Sequence, residues 1–368
     1  MPVDVHRTPR QHGREGARIV DLFLRERYIQ MKSSNTFAAI GCVFVLSACG
    51  GGGGGGSADT TSAAPSAPAT TLSAITPVNA ASATYNSFGA SYLASTWSAA
   101  VPGYMTGASI ALPDVGIVSP VFDLIQDAYR QDGGNLLTGV SRTYSCSGGG
   151  TMEVDATRLD QTAPVNGDTW NFTANNCTVN GNTQTGSMSI KISGVSGDIF
   201  HSTSGSITLD TVFHDFATTA GVMTTTANGD MRIGVIRTNV SATTFVVSGT
   251  SLVETVQQSG ATLATRTLTA YSVTSSKGDA LLTTSANFSL SGNSKRLGQF
   301  AYTVKSLQPF ISTNYDMPTS GALIVNGAGS SVTMTVTPDG VRMDYSDNAN
   351  GTIVNSATRA WSDFLGAY

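Results

Sequence analysis

From Leu136 towards the C-terminus, apolar and polar side chains alternate with a period of two, the pattern of strands that bury one face. The alternation runs through Met152/Val154/Ala156, Trp170/Phe172/Ala174, Met188/Ile190/Ile192, Met231/Ile233/Val235, Phe300/Tyr302/Val304, Val332/Met334/Val336 and Val341/Met343/Tyr345. Turn signals separate these runs: Asn166-Gly167-Asp168, Asn180-Gly181-Asn182, Ser196-Gly197-Asp198, Asn228-Gly229-Asp230, Lys277-Gly278-Asp279 and Asp339-Gly340. Together they predict an antiparallel sheet of about a dozen strands or more, joined mostly by hairpins. A sheet with one apolar face must curl, close or be covered. The expected fold is therefore all-β: a large antiparallel meander forming a strongly curved sheet or barrel, with a short N-terminal helix packed on it. A two-sheet sandwich is the alternative.

The period changes at both ends of this region. In "SPVFDLIQDAYRQDGG", Ser119 serves as N-cap, Pro120 fits the first helical position, and Val121, Leu124, Ile125, Ala128 and Tyr129 recur at helical spacing before Gly133-Gly134. The spacing predicts a helix over 119–132, with weaker helical hints reaching back to Tyr85. Near the C-terminus, Ala360, Trp361, Phe364, Leu365 and Tyr368 also fall at helical spacing. That ending does not suit a transmembrane β-barrel, whose last strand would alternate.

Upstream, "MKSSNTFAAIGCVFVLSAC" begins at Met31 with one Lys and carries an apolar run from Phe37 to Leu46. The run is half of what a bilayer crossing needs, about 20 residues, but it suits the apolar core of an export signal. It ends in Leu46-Ser47-Ala48-Cys49, which resembles the lipobox of bacterial lipoproteins. The resemblance implies that the Cys49 thiol takes a diacylglycerol, that the chain is cut before it, and that the new amino terminus is acylated. Gly50 in place of Asp after that cysteine implies passage to the outer membrane. Residues 1–30 precede a natural start at Met31 and read as a misassigned or extended N-terminus.

After Cys49 come seven glycines and a Ser/Thr/Ala/Pro-rich stretch with Asp59 as its one charge. Such a stretch buries too little apolar surface to offset its ordering entropy, so residues 49–82 are expected to form a disordered tether. The expected organisation is a signal over 31–48, the lipidated Cys and tether over 49–82, and one β-rich domain over 83–368.

Charge narrows the partners. Charged residues make up 12% of the chain, about half the usual share. Residues 1–32 hold seven of the 20 basic and four of the 24 acidic residues, leaving 13 against 20, a formal −7, from position 33 onward. Nucleic acid is not expected as a partner, because phosphate binding needs a basic face.

Candidate chemistry is sparse. With Cys42 in the signal and Cys49 lipidated, Cys146 and Cys177 remain, and in an exported domain they are expected to form a disulfide. Downstream of Cys49 the only histidines are His201 and His214, and no nucleophile elbow, zinc helix or phosphate loop is present. Asp210 and His214, four apart on a strand, share a face and form a weak candidate pair for orienting a base, without a visible third partner. "DYSDNANGT" places Ser346, Asn348 and Asn350 ahead of Gly351 much as a calcium loop places its ligands, but Ala357 stands where the closing Glu belongs. A polar hairpin turn is the expectation there. No metal and no cofactor are indicated.

The lipobox with its polyglycine, the Cys146-Ser-Gly-Gly-Gly segment with "FTANNC", and the "PTSGALIVNG", "VTMTV" and "VRMDY" hairpins resemble uncharacterised, glycine-tethered lipoproteins of Gram-negative proteobacteria. The resemblance implies an envelope location and supplies no activity. The functional expectation is a non-enzymatic, membrane-anchored domain, facing the periplasm or the cell surface, with a structural, binding or adhesive role towards an envelope protein, glycan or lipid. A carrier of a lipid or other apolar ligand in a curved-sheet cavity is the second expectation, and an envelope glycan or peptide hydrolase the third.

Overall fold

The structure is a computed structural model that describes residues 71–99, 139–160, 163–179, 181–197, 199, 204–239, 241–278, 281–313, 317–348 and 351–365. The chain divides into two units, Met1–Ala63 and Ala64–Tyr368, and every described residue belongs to the second. The expected signal, Cys49 and the helix over 119–132 lie outside the described residues.

Among the described residues, fourteen strands follow one another as a single antiparallel meander in chain order. They are β1 (Val140–Ser145), β2 (Thr151–Thr157), β3 (Thr169–Val179), β4 (Asn182–Gly197), β5 (Gly205–Ala220), β6 (Met223–Arg237) and β7 (Thr243–Gln258). The meander continues with β8 (Ala261–Lys277), β9 (Leu281–Ser294), β10 (Gly298–Thr313), β11 (Ser320–Asn326), β12 (Ser331–Thr337), β13 (Gly340–Ser346) and β14 (Asn355–Arg359). Each of the seven alternating runs read from the sequence lies on a strand with its apolar residues buried. Each such Val, Ile, Met or Phe contributes about 1.5–3 kcal/mol by leaving water. Among the described residues β1 and β14 each pair on one side only, so the sheet is not closed; the barrel form of the expectation is corrected, and a curved sheet or a sandwich fits.

Helix α1 (Ala80–Ala99) explains the curvature. It touches β7, β8 and β9 on one flank and β11, β12 and β13 on the other, so the sheet bends around it. The bend falls at β10, whose register slips against both neighbours around Ser306–Ile311. Pro309 sits in that bulge, where a missing N–H removes no ladder bond. Gly321 lies opposite at φ 134, and a Cβ there would stand 2.7 Å from the Phe310 Cα, so the close approach requires glycine. A short C-terminal helix, α2 (Trp361–Leu365), follows β14 as the sequence spacing predicts. Its Trp361 and Phe364 pack against Phe88 of α1 in tilted and edge-to-face contacts, with Phe310 completing the aromatic cluster.

The tether boundary at 82 is also corrected. Residues 71–79 are stitched into the sheet: the Ser73 N–H donates to Ala301 O at 2.9 Å, Ala328 N–H to Ser73 O at 2.9 Å, and Ile75 N–H to Ser330 Oγ at 2.8 Å. Ile75 is buried in the core. Thr76 and Asn79 then cap α1 reciprocally, Thr76 N–H donating to Asn79 Oδ1 at 2.7 Å and Asn79 N–H to Thr76 Oγ1 at 3.3 Å, with Pro77 between them. Composition alone makes this stretch look like linker, but backbone pairing to β10 and the β11–β12 turn orders it.

One turn signal is also reassigned. Asn228-Gly229-Asp230 lies inside β6, where Gly229 at φ 118 forms a bulge packed on the Ser251 backbone. The β5–β6 turn is made instead by Gly221 at φ 59. Both jobs call for a left-handed residue, so the same dipeptide serves either.

Candidate functional site

Two carboxylate–guanidinium pairs are built on neighbouring strands, one on each face of the sheet. Glu254 on β7 and Arg266 on β8 are directly opposed in register. Each shares the parity of buried apolar neighbours, Leu252 and Val256 for one and Ala264 and Leu268 for the other, so strand alternation carries both to the concave face. Arg266 Nη1 donates to Glu254 Oε2 at 3.1 Å, with side-chain exposures of 1% and 4%. Arg266 Nε donates to Asn86 Oδ1 of α1 at 3.1 Å, tying helix to sheet. Among the described residues no partner reaches Arg266 Nη2 or Glu254 Oε1. Burial pushes the Glu254 carboxyl above its ordinary range, against the opposing pull of the Arg266 charge and hydrogen bond.

On the convex face, Asp210 of β5 opposes Arg232 of β6. The contact is bidentate, Nε to Oδ1 at 2.6 Å and Nη2 to Oδ2 at 3.1 Å. The Arg232 hydrogen bond is the main cause that holds the Asp210 carboxyl below its ordinary range. The sequence-predicted pair is thus resolved differently: His214 shares the outer face with Asp210 and is exposed, but the carboxylate is engaged by Arg232. His201 lies outside the described residues.

Asp230, at the β6 bulge, accepts hydrogen bonds from Thr250 N–H at 2.8 Å, Thr250 Oγ1 at 3.0 Å and Ser251 N–H at 2.9 Å. Burial acts upward on this carboxyl, and the donors together outweigh it and keep it below the ordinary range. Tyr271 Oη donates to Asp230 O, and burial pushes the Tyr271 phenol up, with the Asp230 charge adding to the effect. This cluster pins the bulge and leaves its acid fully occupied.

Cys146 and Cys177 are joined as a disulfide with Cα atoms 5.3 Å apart. It fastens the β1–β2 turn to a bulge in β3, where Gly148 N–H donates to Thr178 O and Thr178 N–H to Gly149 O, both at 2.8 Å. In the calcium-like stretch, Ser346 Oγ donates to Asn348 O at 2.9 Å, the bond of a closed polar turn, while Asn350 lies outside the described residues. Ala357 sits on β14, and no group of three or more metal-ligating side chains occurs among the described residues.

Glu254, Arg266 and Asn86 were not marked by any motif. The only sequence signal for the first two is a charged residue at an apolar position of a strand: "LVETV" and "ATRTL" each interrupt an otherwise apolar parity. The start of helix α1 had a signal in Thr76-Pro77-Val78-Asn79, a cap masked by the surrounding composition, which is that of a tether. In comparisons with protein-family models, curated proteins and solved structures, nothing matches this chain.

Proposed function

We propose that this protein is a membrane-anchored envelope lipoprotein whose β-domain acts by binding, in a structural or adhesive role, and not by catalysis. Anchoring through acyl chains on Cys49 is supported by the lipobox-like Leu46-Ser47-Ala48-Cys49 and the glycines behind it. An oxidising compartment, on the periplasmic or outer side of the outer membrane, is supported by the Cys146–Cys177 disulfide. The observation that carries the binding reading is the engagement of three acids on the central strands: Asp210 is held by Arg232, Asp230 by Thr250 and Ser251, and Glu254 by Arg266. Acid–base chemistry needs a carboxyl or imidazole free to exchange a proton with substrate, and these carboxyls support architecture instead.

Fractionation of cells expressing the wild type and Cys49→Ala tests the anchor. The wild type should pellet with membranes and carry the mass of its acyl chains, and the variant should be soluble; a variant retained in membranes overturns the anchor. His214→Ala tests the binding reading. Its envelope phenotype should match the wild type, and loss of function with an unchanged fold would restore the hydrolase.

A further inference from the structure

Helix α1 joins the wall around it through Ala83, Tyr85, Phe88 and Ala90, but about half of its buried residues are polar. Every residue from Ser82 to Ser91 is buried, yet Ser82, Thr84, Asn86, Ser87 and Ser91 are polar and Gly89 has no side chain. The polar groups are satisfied largely within the helix: Thr84 Oγ1 donates to Ala80 O at 2.8 Å, Ser87 Oγ to Ala83 O at 2.8 Å, Ser91 Oγ to Phe88 O at 2.7 Å and Asn86 Nδ2 to Ser82 O at 2.8 Å. A helix buried on all sides is ordinarily apolar on all sides. The wall supplies Leu268, Leu290, Leu323, Met334 and Met343 from five strands, and methionines adapt to more than one occupant. At one end of this wall stands the Glu254–Arg266 pair, more than nine-tenths buried, with Nη2 and Oε1 unpartnered among the described residues. The helix meets it through the Asn86 hydrogen bond and Gly89, whose added Cβ would lie 3.9 Å from both terminal guanidinium nitrogens, so the missing side chain leaves about the room of a methyl group there.

We propose that the concave face under α1 is a binding site for a single-chain amphiphile of the membrane, with α1 as its displaceable resting occupant. The tail lies along the apolar wall that α1 covers, and the head meets Arg266 and Glu254. The pair presents one guanidinium arm and one carboxyl oxygen that no described residue engages, which fits a zwitterionic head that both accepts and donates, a phosphoethanolamine. The proposal rests on the binding reading above and gives that reading a site and a ligand class.

The test uses the full chain carrying Cys49→Ala, so that no acyl chain of its own competes, and titrates lysophosphatidylethanolamine and lysophosphatidylcholine below their micelle concentrations. Native mass spectrometry should show one lipid per chain, with the ethanolamine head preferred because choline has no N–H to donate. Hydrogen exchange should show the α1 amides losing protection on lipid binding while β8 and β9 keep theirs. Asn86→Ala, which frees α1, should tighten binding about fivefold by raising the competent population. Glu254→Met/Arg266→Met should keep the tail and lose the preference between heads. Absence of lipid binding to both the parent and Asn86→Ala overturns the site. Binding with α1 still protected overturns displacement, and an unchanged head preference in the double variant overturns the polar end. Failure here with normal Cys49-dependent membrane attachment rejects the ligand and leaves the anchored reading standing, whereas failure of attachment is read separately in the fractionation.

Discussion

Glu254–Arg266 and Asp210–Arg232 are the same construction in two media. Each sets a carboxylate opposite a guanidinium across neighbouring antiparallel strands, but the first faces the interior and the second faces water. The Asp210–Arg232 side chains are 34% and 59% exposed, and there the guanidinium dominates, so the carboxyl is pulled below its ordinary range. Inside, the loss of hydration dominates and the carboxyl is pushed above it, even with an arginine at 3.1 Å. Location therefore decides the sign, and the buried pair specifies an arrangement more than it stabilises one.

The largest expected effect breaks the buried pair. Arg266→Met leaves Glu254 without its partner and should cost about 3–5 kcal/mol in urea unfolding. The double variant Glu254→Met/Arg266→Met, which removes both charges, should return to within about 1 kcal/mol of wild type. A double variant as unstable as the single one would show that the pair itself is the stabiliser. Next is Asn86→Ala, which strips one hydrogen bond from a buried cation and should cost about 1–2 kcal/mol by the same assay.

The two acids should then differ in their response to pH. The folded pKa of Glu254 lies above its unfolded value near 4.5, so its contribution is fully present below pH 4.5 and is lost as pH rises through the raised folded value. Because Gln resembles the protonated carboxyl, wild type and Glu254→Gln should be closest in acid, and the wild type should lose stability relative to the variant as pH rises through the raised folded value. Asp210 runs the other way: its folded pKa lies below 3.8, so its contribution is present above that value and lost as pH falls through the lowered one. Wild type and Asp210→Asn should converge only in strong acid. The smallest expected effect is Arg232→Ala, which should lower the unfolding midpoint only slightly and by less than Asn86→Ala, because an exposed pair is screened and its long side chain must be ordered.

The same division between faces governs what could be read from the sequence. Strands such as β2, β3 and β12 were legible because their inner residues are uniformly apolar, so the period of two shows. Helix α1 showed only as faint helical hints from Tyr85, because polar and apolar residues alternate around its buried surface and leave neither a stripe nor a charge to mark it. Asn228-Gly229 misled because a bulge and a turn both need a residue at positive φ, and only the partner strands decide which forms. For the candidate site, Asp210 was visible as an acid on an outer face, but its partner on the next strand was not, since Arg232 lies 22 residues away and register is a tertiary fact. Glu254 and Arg266 could be seen as charges out of place, although nothing in the sequence says that they meet each other under a helix.

The stitching at Ser73 and Ile75 has a mechanical side. It precedes α1, so traction arriving from the N-terminal direction is met first by the bonds to Ala301, Ala328 and Ser330. Those bonds distribute the load to β10 and to the β11–β12 turn before it reaches the helix. Under the anchored reading proposed above, load from the N-terminal side would therefore reach the sheet before the helix, and suspension would stay mechanically separate from what the concave face holds.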